Sequence, residues 1–462
     1  MLRVTGNLVR IARHGTLTLM NGQYPRPLVF KKGLDLVERV LRDPASVENE
    51  QLRDLLVRFR ILVSEDEQAP ATHQVFRHDA KTEFALYMLV SERCNLACTY
   101  CLGRNTEYLR HQNMSWEVAR AAIEKAAASV APGGTLELLY FGGEPLLNWP
   151  LVKRCLAYAT ENLAPRFHGR IKHHMTTNLT RMPSDFIETA REHGITLLVD
   201  VDGDLATHDR LRPYRSGAPS YTRVMENLKR IAAAGLYFEV RATITSENVE
   251  KIREIQRHHK LLDPAACAFP TLTPVDSTGK VLDCKMYPDP TVYARELHGA
   301  VADGIFDLGS IAPVNVIASR MLRGEFVSYG CGMVMGNTGV VTADGTAYPC
   351  IYFVGRSPFR LGGVFDEVNP YSQEVYGRFF EKWKSRLNVD EREGCKACPI
   401  RYLCGGGCPL RVLAVDGNDE QSQAAREYFR AVSCAASWTA VEATIEHFGS
   451  RETGGGHAGA RC

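Results

Sequence analysis

The amino-acid sequence predicts an α/β protein: a partial (β/α)6 barrel preceded by a small N-terminal unit and followed by a cysteine-rich region. Three observations predict it. From residue 84 to residue 310, β-type segments alternate with amphipathic helical ones, the pattern of parallel βα units. Fourteen cysteines among 462 residues gather at short spacings. After residue 310 the alternation stops, and short Gly- and Cys-rich segments follow.

Each element has its own signal. In residues 1–80, alternation in LVRIARHGTLTLMNG predicts a hairpin turning near His14 and Gly15. LDLVERVL and NEQLRDLLVRF read as two amphipathic helices, ILVSEDE as a returning strand and EDEQAPATHQ as a linker. The barrel strands are FALYMLV, TLELLYF, IKHHMTT, TLLVDV, YFEVRATI and ACAFPTL. Between them lie the helices SWEVARAAIEKAAASV, WPLVKRCLAYATENL, SDFIETAREHG, YTRVMENLKRIAAAG and NVEKIREIQRHH. In such a barrel the chemistry sits at the C-terminal strand ends. Residues 311–440 are too poor in apolar runs to build a large core, so metal is expected to supply their cross-links. Residues 441–462 read as a tail.

Bulk composition narrows the function. With 55 basic and 53 acidic residues the net charge is +2, so no strong field favours nucleic acid or a membrane surface. No apolar run reaches the roughly 18 residues of a membrane span. The N-terminus shows no signal-peptide pattern, so a cytoplasmic setting is expected. There the cysteines stay reduced, and clustered thiols in a long chain indicate metal rather than disulfides.

The first cluster of cysteines is SERCNLACTYC, with Cys94, Cys98 and Cys101 spaced C-x3-C-x2-C just after the first barrel strand. Three thiolates leave one corner of a [4Fe–4S] cube open, whereas structural zinc sites have four protein ligands. A zinc loop with a distant fourth ligand is the alternative. The motif resembles the signature of the radical S-adenosylmethionine (SAM) superfamily. The resemblance implies that the open iron binds SAM and that SAM cleavage yields a hydrogen-abstracting radical. It also places Tyr100 against the adenine.

The next strand ends in YFGGEP. Gly142 and Gly143 would let the backbone approach a ligand, and Glu144 could accept hydrogen bonds from the SAM ammonium. Thr176, Thr177 and Asn178 end the third strand, near the ribose in relatives; a plain helix cap is the alternative. In DVDGDLATHDRLR, Asp202, Gly203, His208, Asp209 and Arg212 match the resemblance. Asp200 departs from it and reads as a SAM contact, a base near the substrate or a paired buried carboxylate. Arg241 is placed to pair with the methionine carboxylate of SAM.

The remaining order of cysteines is Cys331, Cys350, then Cys395, Cys398, Cys404 and Cys408 spaced C-x2-C-x5-C-x3-C, then Cys434. This order resembles the SPASM domain of radical SAM peptide maturases, which holds two auxiliary [4Fe–4S] clusters. The resemblance implies that Cys395, Cys398, Cys404 and Cys434 hold an outer cluster. Cys331, Cys350 and Cys408 would hold an inner one. The inner set is one ligand short: Cys284 or Cys267 reaches across, or the site is open for a substrate thiolate. Cys155 reads as core packing, and Cys462 as dispensable.

Three [4Fe–4S] clusters and SAM are therefore the implied cofactors. The implied partners are a Cys-containing peptide or small protein and an electron donor such as flavodoxin or ferredoxin, with no nucleic acid and no membrane. Residues 1–80 resemble a peptide-recognition unit. Length and that unit together resemble the thioether-forming maturases, such as that of quinohemoprotein amine dehydrogenase, which joins Cys to Asp/Glu in a small subunit. The competing outcomes are sactionine-type, carbon–carbon cross-linking and formylglycine-forming maturases. Outside that class stand a zinc-ribbon scaffold and an RNA-modifying enzyme.

Overall fold

The computed structural model describes residues 2–13, 15–66, 81–101, 103, 112–272, 284–413 and 419–451. The N-terminal unit comprises β1 (Leu2–Val4), β2 (Leu8–Arg13), β3 (Thr16–Asn21), β4 (Tyr24–Phe30), α1 (Leu34–Arg42), α2 (Glu50–Arg58) and β5 (Leu62–Ser64). Arg13 stands opposite Thr16, so β2 and β3 form the expected hairpin with Gly15 at φ +71° in the turn; His14 lies outside the described residues. The hydrophobic faces of α1 and α2 pack on β3 through Leu17, Leu19, Val37, Val40 and Leu56, giving this unit a core of its own. Most of the expected linker lies outside the described residues.

The barrel follows as β6 (Lys81–Ser91), α3 (Trp116–Ala127), β7 (Val130–Gly142), α4 (Trp149–Tyr158), β8 (Arg170–Thr177), α5 (Phe186–Glu192), β9 (Thr196–Asp200), α6 (Leu205–Leu211), α7 (Tyr221–Ala233), β10 (Phe238–Arg241), α8 (Ile252–Lys260) and β11 (Cys267–Ala268). Neighbouring strands from β6 to β11 pair in parallel, in chain order. In α3, Ser115 caps the N-terminus by accepting from Val118 N, and Val118, Ala119, Ala122, Ile123 and Ala126 form one buried stripe. The last expected strand shrinks to two residues, because Pro270 has no N–H to extend the ladder.

Next come α9 (Pro290–Ala302), β12 (Ile311–Ala312), α10 (Val314–Arg323), β13 (Thr338–Val341), β14 (Thr346–Tyr348), β15 (Gly362–Gly363), α11 (Gln373–Leu387), α12 (Arg401–Cys404), α13 (Leu410–Leu413) and α14 (Glu420–Arg451). The cysteine-rich region does not stand apart from the barrel. β13 pairs in parallel with β6, Val340 beside Tyr87, and extends the sheet to ten strands. Tyr371, Tyr376 and Phe353 join Phe84 and Leu86 in one continuous core. Apolar contact with the barrel thus supplies packing that the sequence reading assigned to metal alone. The 32-residue α14, about 48 Å long at the usual rise, packs on α9 and α10 and runs straight through residue 440. Among the described residues no helix is long and apolar enough to cross a membrane.

Candidate active site

The first three cysteines lie on the loop that leaves β6. Their backbone is laced to the segment after α6: Ala97 N donates to Pro213 O (2.8 Å), Thr99 N to Leu211 O (2.9 Å) and Arg215 Nε to Cys94 O (2.7 Å). On the other side the loop meets the end of β7. Gly143 N donates to Ser91 O (2.8 Å) and Glu144 N to Arg93 O (2.9 Å). A Cβ at Gly142 would sit 2.2 Å from Ser91 O, and one at Gly143 2.5 Å from Arg93 O. These glycines therefore admit the cysteine loop itself, and not only the ligand that the sequence reading had in mind.

Cys94, Cys98, Cys101, Gly142, Gly143, Asn178, Asp200, Arg212 and Arg241 line a cavity of about 200 Å³ together with Tyr100. Burial pushes the Cys94 thiol up to about 11 and the Cys98 thiol to about 12, so thiolates here call for a strong cation. None of the twelve cysteines whose side chains are described is in a disulfide. Three free thiols on one cavity wall, Cys98 buried and Cys94 and Cys101 half-buried, beside a guanidinium, fit a cluster ligated at three corners. Among the described residues no three His, Cys, Asp or Glu side chains converge on one metal ion. A cube, held at separate corners, does not ask for such convergence, whereas a single zinc does.

The wall opposite is a buried charge network. Arg241 grips Asp200 through Nε–Oδ1 (2.6 Å) and Nη2–Oδ2 (3.2 Å), and Arg212 Nη2 donates to Oδ2 (3.1 Å). Burial raises the Asp200 carboxyl, but the two guanidiniums outweigh it and hold it below the usual range. Arg212 Nη1 also donates to Tyr100 Oη (2.6 Å), and that hydroxyl donates to Asp202. His208 Nδ1 receives Asp202 N (3.3 Å), and Asp209 receives the N–H groups of Ser220 and Tyr221 (2.8 and 2.7 Å). The His-Asp-x-x-Arg stretch thus braces the cysteine loop from behind.

Two sequence readings change. Glu144 does not line the cavity. It is fully buried, accepts from Leu146 N (3.0 Å), Thr177 Oγ1 (2.7 Å) and Asn178 N (2.8 Å), and ties the ends of β7 and β8 together. Thr177 gives its hydroxyl to that strut and still lines the cavity, while Asn178 turns Nδ2 toward Cys94 Sγ (3.7 Å). Asp200, engaged on both oxygens, is a poor proton acceptor.

The other cysteines gather in two sets. Burial pushes Cys350 up, and charge on Cys331 or Cys408 adds to it. Burial likewise raises Cys398, and Cys404, Cys434 and Cys395 add to that. The thiols near one another are thus Cys331, Cys350 and Cys408 in one set, and Cys395, Cys398, Cys404 and Cys434 in the other. Cys434 comes from α14 and Cys404 from the end of α12, where Ser437 Oγ lies 3.2 Å from Cys404 Sγ. Cys267 is buried in the barrel core, raised to about 12 by burial, with no other thiol acting on it. The Cys284 side chain lies outside the described residues. Cys155 is buried in α4, as expected of core packing.

Cys331 and Cys350 open onto a second cavity of about 720 Å³ inside the sheet. The two cavities share Phe141, Thr176, Arg241, Ile351 and Tyr352 as a common wall. Sequence reasoning missed Tyr352 and the inward residues Tyr87 and His174. Strand alternation alone would have turned the latter two inward, but nothing marked them as chemical.

An open parallel sheet with three cysteines at the mouth of its first strand defines a radical SAM α/β fold. Residues 88–259 match the radical SAM superfamily and form its domain. Among curated proteins, the chain is 23% identical over 358 residues to the serine-type anaerobic sulfatase-maturating enzyme of Bacteroides thetaiotaomicron, covering 71% of this chain and 83% of that one. It is 24% identical over 327 residues to the cysteine-type enzyme of Clostridium perfringens (69% and 86% covered). A match at 26% identity over 189 residues to an uncharacterized Methanocaldococcus jannaschii protein spans 41% of this chain and 63% of that protein. Among solved structures, native anSMEcpe with bound AdoMet superposes with a TM-score of 0.63 at 19% identity, covering 80% of this chain and 100% of that one. Streptococcus suis SuiB bound to precursor peptide SuiA gives 0.55 at 16% identity, with 92% and 100% covered.

Proposed function

We propose that this protein is a radical SAM maturase that oxidises a cysteine of a peptide or small protein and joins its sulfur to a carbon of the same chain. The observation that carries the reading is the shared wall: a cavity with three thiols on one side, and one with Cys331 and Cys350 on the other. When bound, a [4Fe–4S] cluster and SAM supply one-electron chemistry that ends in hydrogen-atom abstraction from a substrate carbon.

In this reading Cys94, Cys98 and Cys101 hold that cluster. Arg241 offers a guanidinium to the SAM carboxylate, and Asp200 positions Arg241 rather than moving a proton. Tyr100, fixed by Asp202 and Arg212, forms the adenine wall. Gly142, Gly143 and Glu144 hold the cysteine loop to the sheet, with Asn178 at its side. Cys395, Cys398, Cys404 and Cys434 would hold an outer auxiliary cluster suited to electron transfer, by which the electron released on carbon–sulfur bond formation could leave; a flavodoxin or ferredoxin would supply the electron that SAM cleavage needs. Cys331, Cys350 and Cys408 hold an inner one, whose missing fourth ligand is the substrate sulfur. Residues 1–80 engage the peptide.

A second reading, formylglycine formation, is favoured by the names of the relatives that match about 70% of the chain. One experiment separates the two. Anaerobically reconstituted protein is mixed with SAM, a strong reductant and the Cys-containing product of a neighbouring reading frame. Loss of two hydrogens with sulfur retained and alkylation blocked supports the thioether; loss of sulfur supports formylglycine. Absence of 5′-deoxyadenosine under all conditions sinks both. In the same preparations Cys434→Ala is expected to lower iron by about four per chain.

A further inference from the structure

Inside the sheet lies a polar group that the reading above leaves unused. Strand register places Tyr87, Leu139 and His174 in one row across β6, β7 and β8, and all three face the second cavity with Cys331 and Cys350. With strands about 4.8 Å apart, Tyr87 and His174 are about 10 Å from each other. Cys350, Cys331, Arg241 and Glu137 all lie close enough to act on Tyr87, so thiols, guanidinium and carboxylate share one neighbourhood.

Glu137 divides its oxygens. Oε1 takes Lys172 Nζ at 3.3 Å, and Oε2 faces His174 Nε2 at 3.9 Å. That nitrogen is buried and has no hydrogen-bond partner, while the His174 side chain as a whole keeps 27% of its surface exposed. With Nε2 sealed against the carboxylate, Nδ1 is the nitrogen able to meet a molecule in the cavity. Glu137 favours the tautomer with hydrogen on Nε2, which leaves a lone pair on Nδ1.

The geometry points to His174 as the acceptor of the substrate thiol's proton, with Glu137 as its positioning residue. This rests on the thiol-oxidising function proposed above. The S–H bond breaks with its electron pair staying on sulfur, the proton moves to Nδ1, and no electron changes hands. Thioether formation and formylglycine formation from cysteine both need this deprotonation, so the assignment does not depend on which follows. Burial outweighs the neighbouring charges and holds His174 below its usual value: Glu137 and Glu239 raise it, and Lys172 lowers it. The imidazole therefore rests neutral, with its lone pair free to take a proton. Tyr87 faces the same space from β6, and Tyr237 and Arg241 from the β10 edge. Tyr352 and the two thiols close it from the C-terminal region.

The test uses N-acetyl-cysteine methylamide as the probe and the electron paramagnetic resonance of the reduced, cluster-loaded protein as the readout of thiol binding. A free thiol ionises near about 8.5. If His174 keeps the proton in the complex, apparent affinity in the wild type stays level across a range of pH below that value. In His174→Gln it is expected to fall about tenfold per pH unit, hence about 100-fold over two units. A purely structural histidine would change affinity without changing that slope. Equal slopes in both proteins overturn the assignment. If His174→Gln loses its iron, Glu137→Gln decides: the level range shrinks from its upper end, and an unchanged range overturns the assignment. No response of the wild type to thiol at any pH sinks the thiol-oxidising reading itself, and His174 falls with it.

Discussion

Replacing Asp200 by Asn removes one negative charge from between two guanidiniums without changing shape. Asp200 and Arg212 are nearly sealed from water, with side chains 9% and 6% exposed, and Arg241 is 26% exposed. The carboxylate receives three hydrogen bonds, at 2.6, 3.2 and 3.1 Å. An amide keeps one acceptor oxygen and turns an NH2 toward a guanidinium. Breaking a buried pair by removing one partner costs about 3–5 kcal/mol. At about 2–4 °C per kcal/mol for a domain of this size, the expected drop in melting temperature is roughly 6–20 °C. SAM binding should weaken as Arg241 loses its orientation, and 5′-deoxyadenosine formation should fall by a factor that does not change with pH. Scanning calorimetry of the reconstituted protein and a SAM titration at several pH values measure both. A variant as stable as the wild type whose activity returns at high pH would refute this reasoning and restore Asp200 as a base.

Gly142→Ala places a Cβ 2.2 Å from the Ser91 carbonyl at φ +134°, so the cysteine loop must move. Overpacking of about 1–3 kcal/mol plus backbone strain of about 1–2 kcal/mol is expected, and iron counting should show loss of the first cluster while the other two remain. The buried histidines His173, His208 and His259 are lowered by burial to about 4, 3 and 4. A depressed folded value means that the unfolded chain takes up the proton first. The stability is therefore full above about 6.5 and lost as pH falls toward 4, by on the order of 3 kcal/mol per group. Urea midpoints between pH 7.5 and 4.5 should fall accordingly, and His259→Gln should flatten the slope.

What could be read from the chain was what is local along it. Cys94, Cys98 and Cys101 fall within eight residues, and Cys395 to Cys408 within fourteen, so their spacing can be read along the chain. The βα alternation was equally plain, because inward and outward positions repeat every second residue. What escaped depends on partners far away in sequence. Glu144 looked like a ligand because Thr177 and Asn178, which occupy it, are more than thirty residues distant. The pairing of β13 with β6 joins segments about 250 residues apart, and no pattern in either announces the other. His174 becomes chemically suggestive only once Glu137 is seen across the strand gap.

That β13–β6 ladder turns the distance between the two cavities into a gauge rather than a hinge. Val340 and Tyr87 sit side by side in one sheet, so prising the cavities apart would tear backbone hydrogen bonds in the middle of the molecule. On the function proposed above, neither cavity would have to travel, and a polypeptide substrate would have to bend until one of its carbons and one of its sulfurs match a spacing already set in the scaffold. Sequences too stiff or too short to span that gauge would then be rejected by mechanics alone, before any side chain is read.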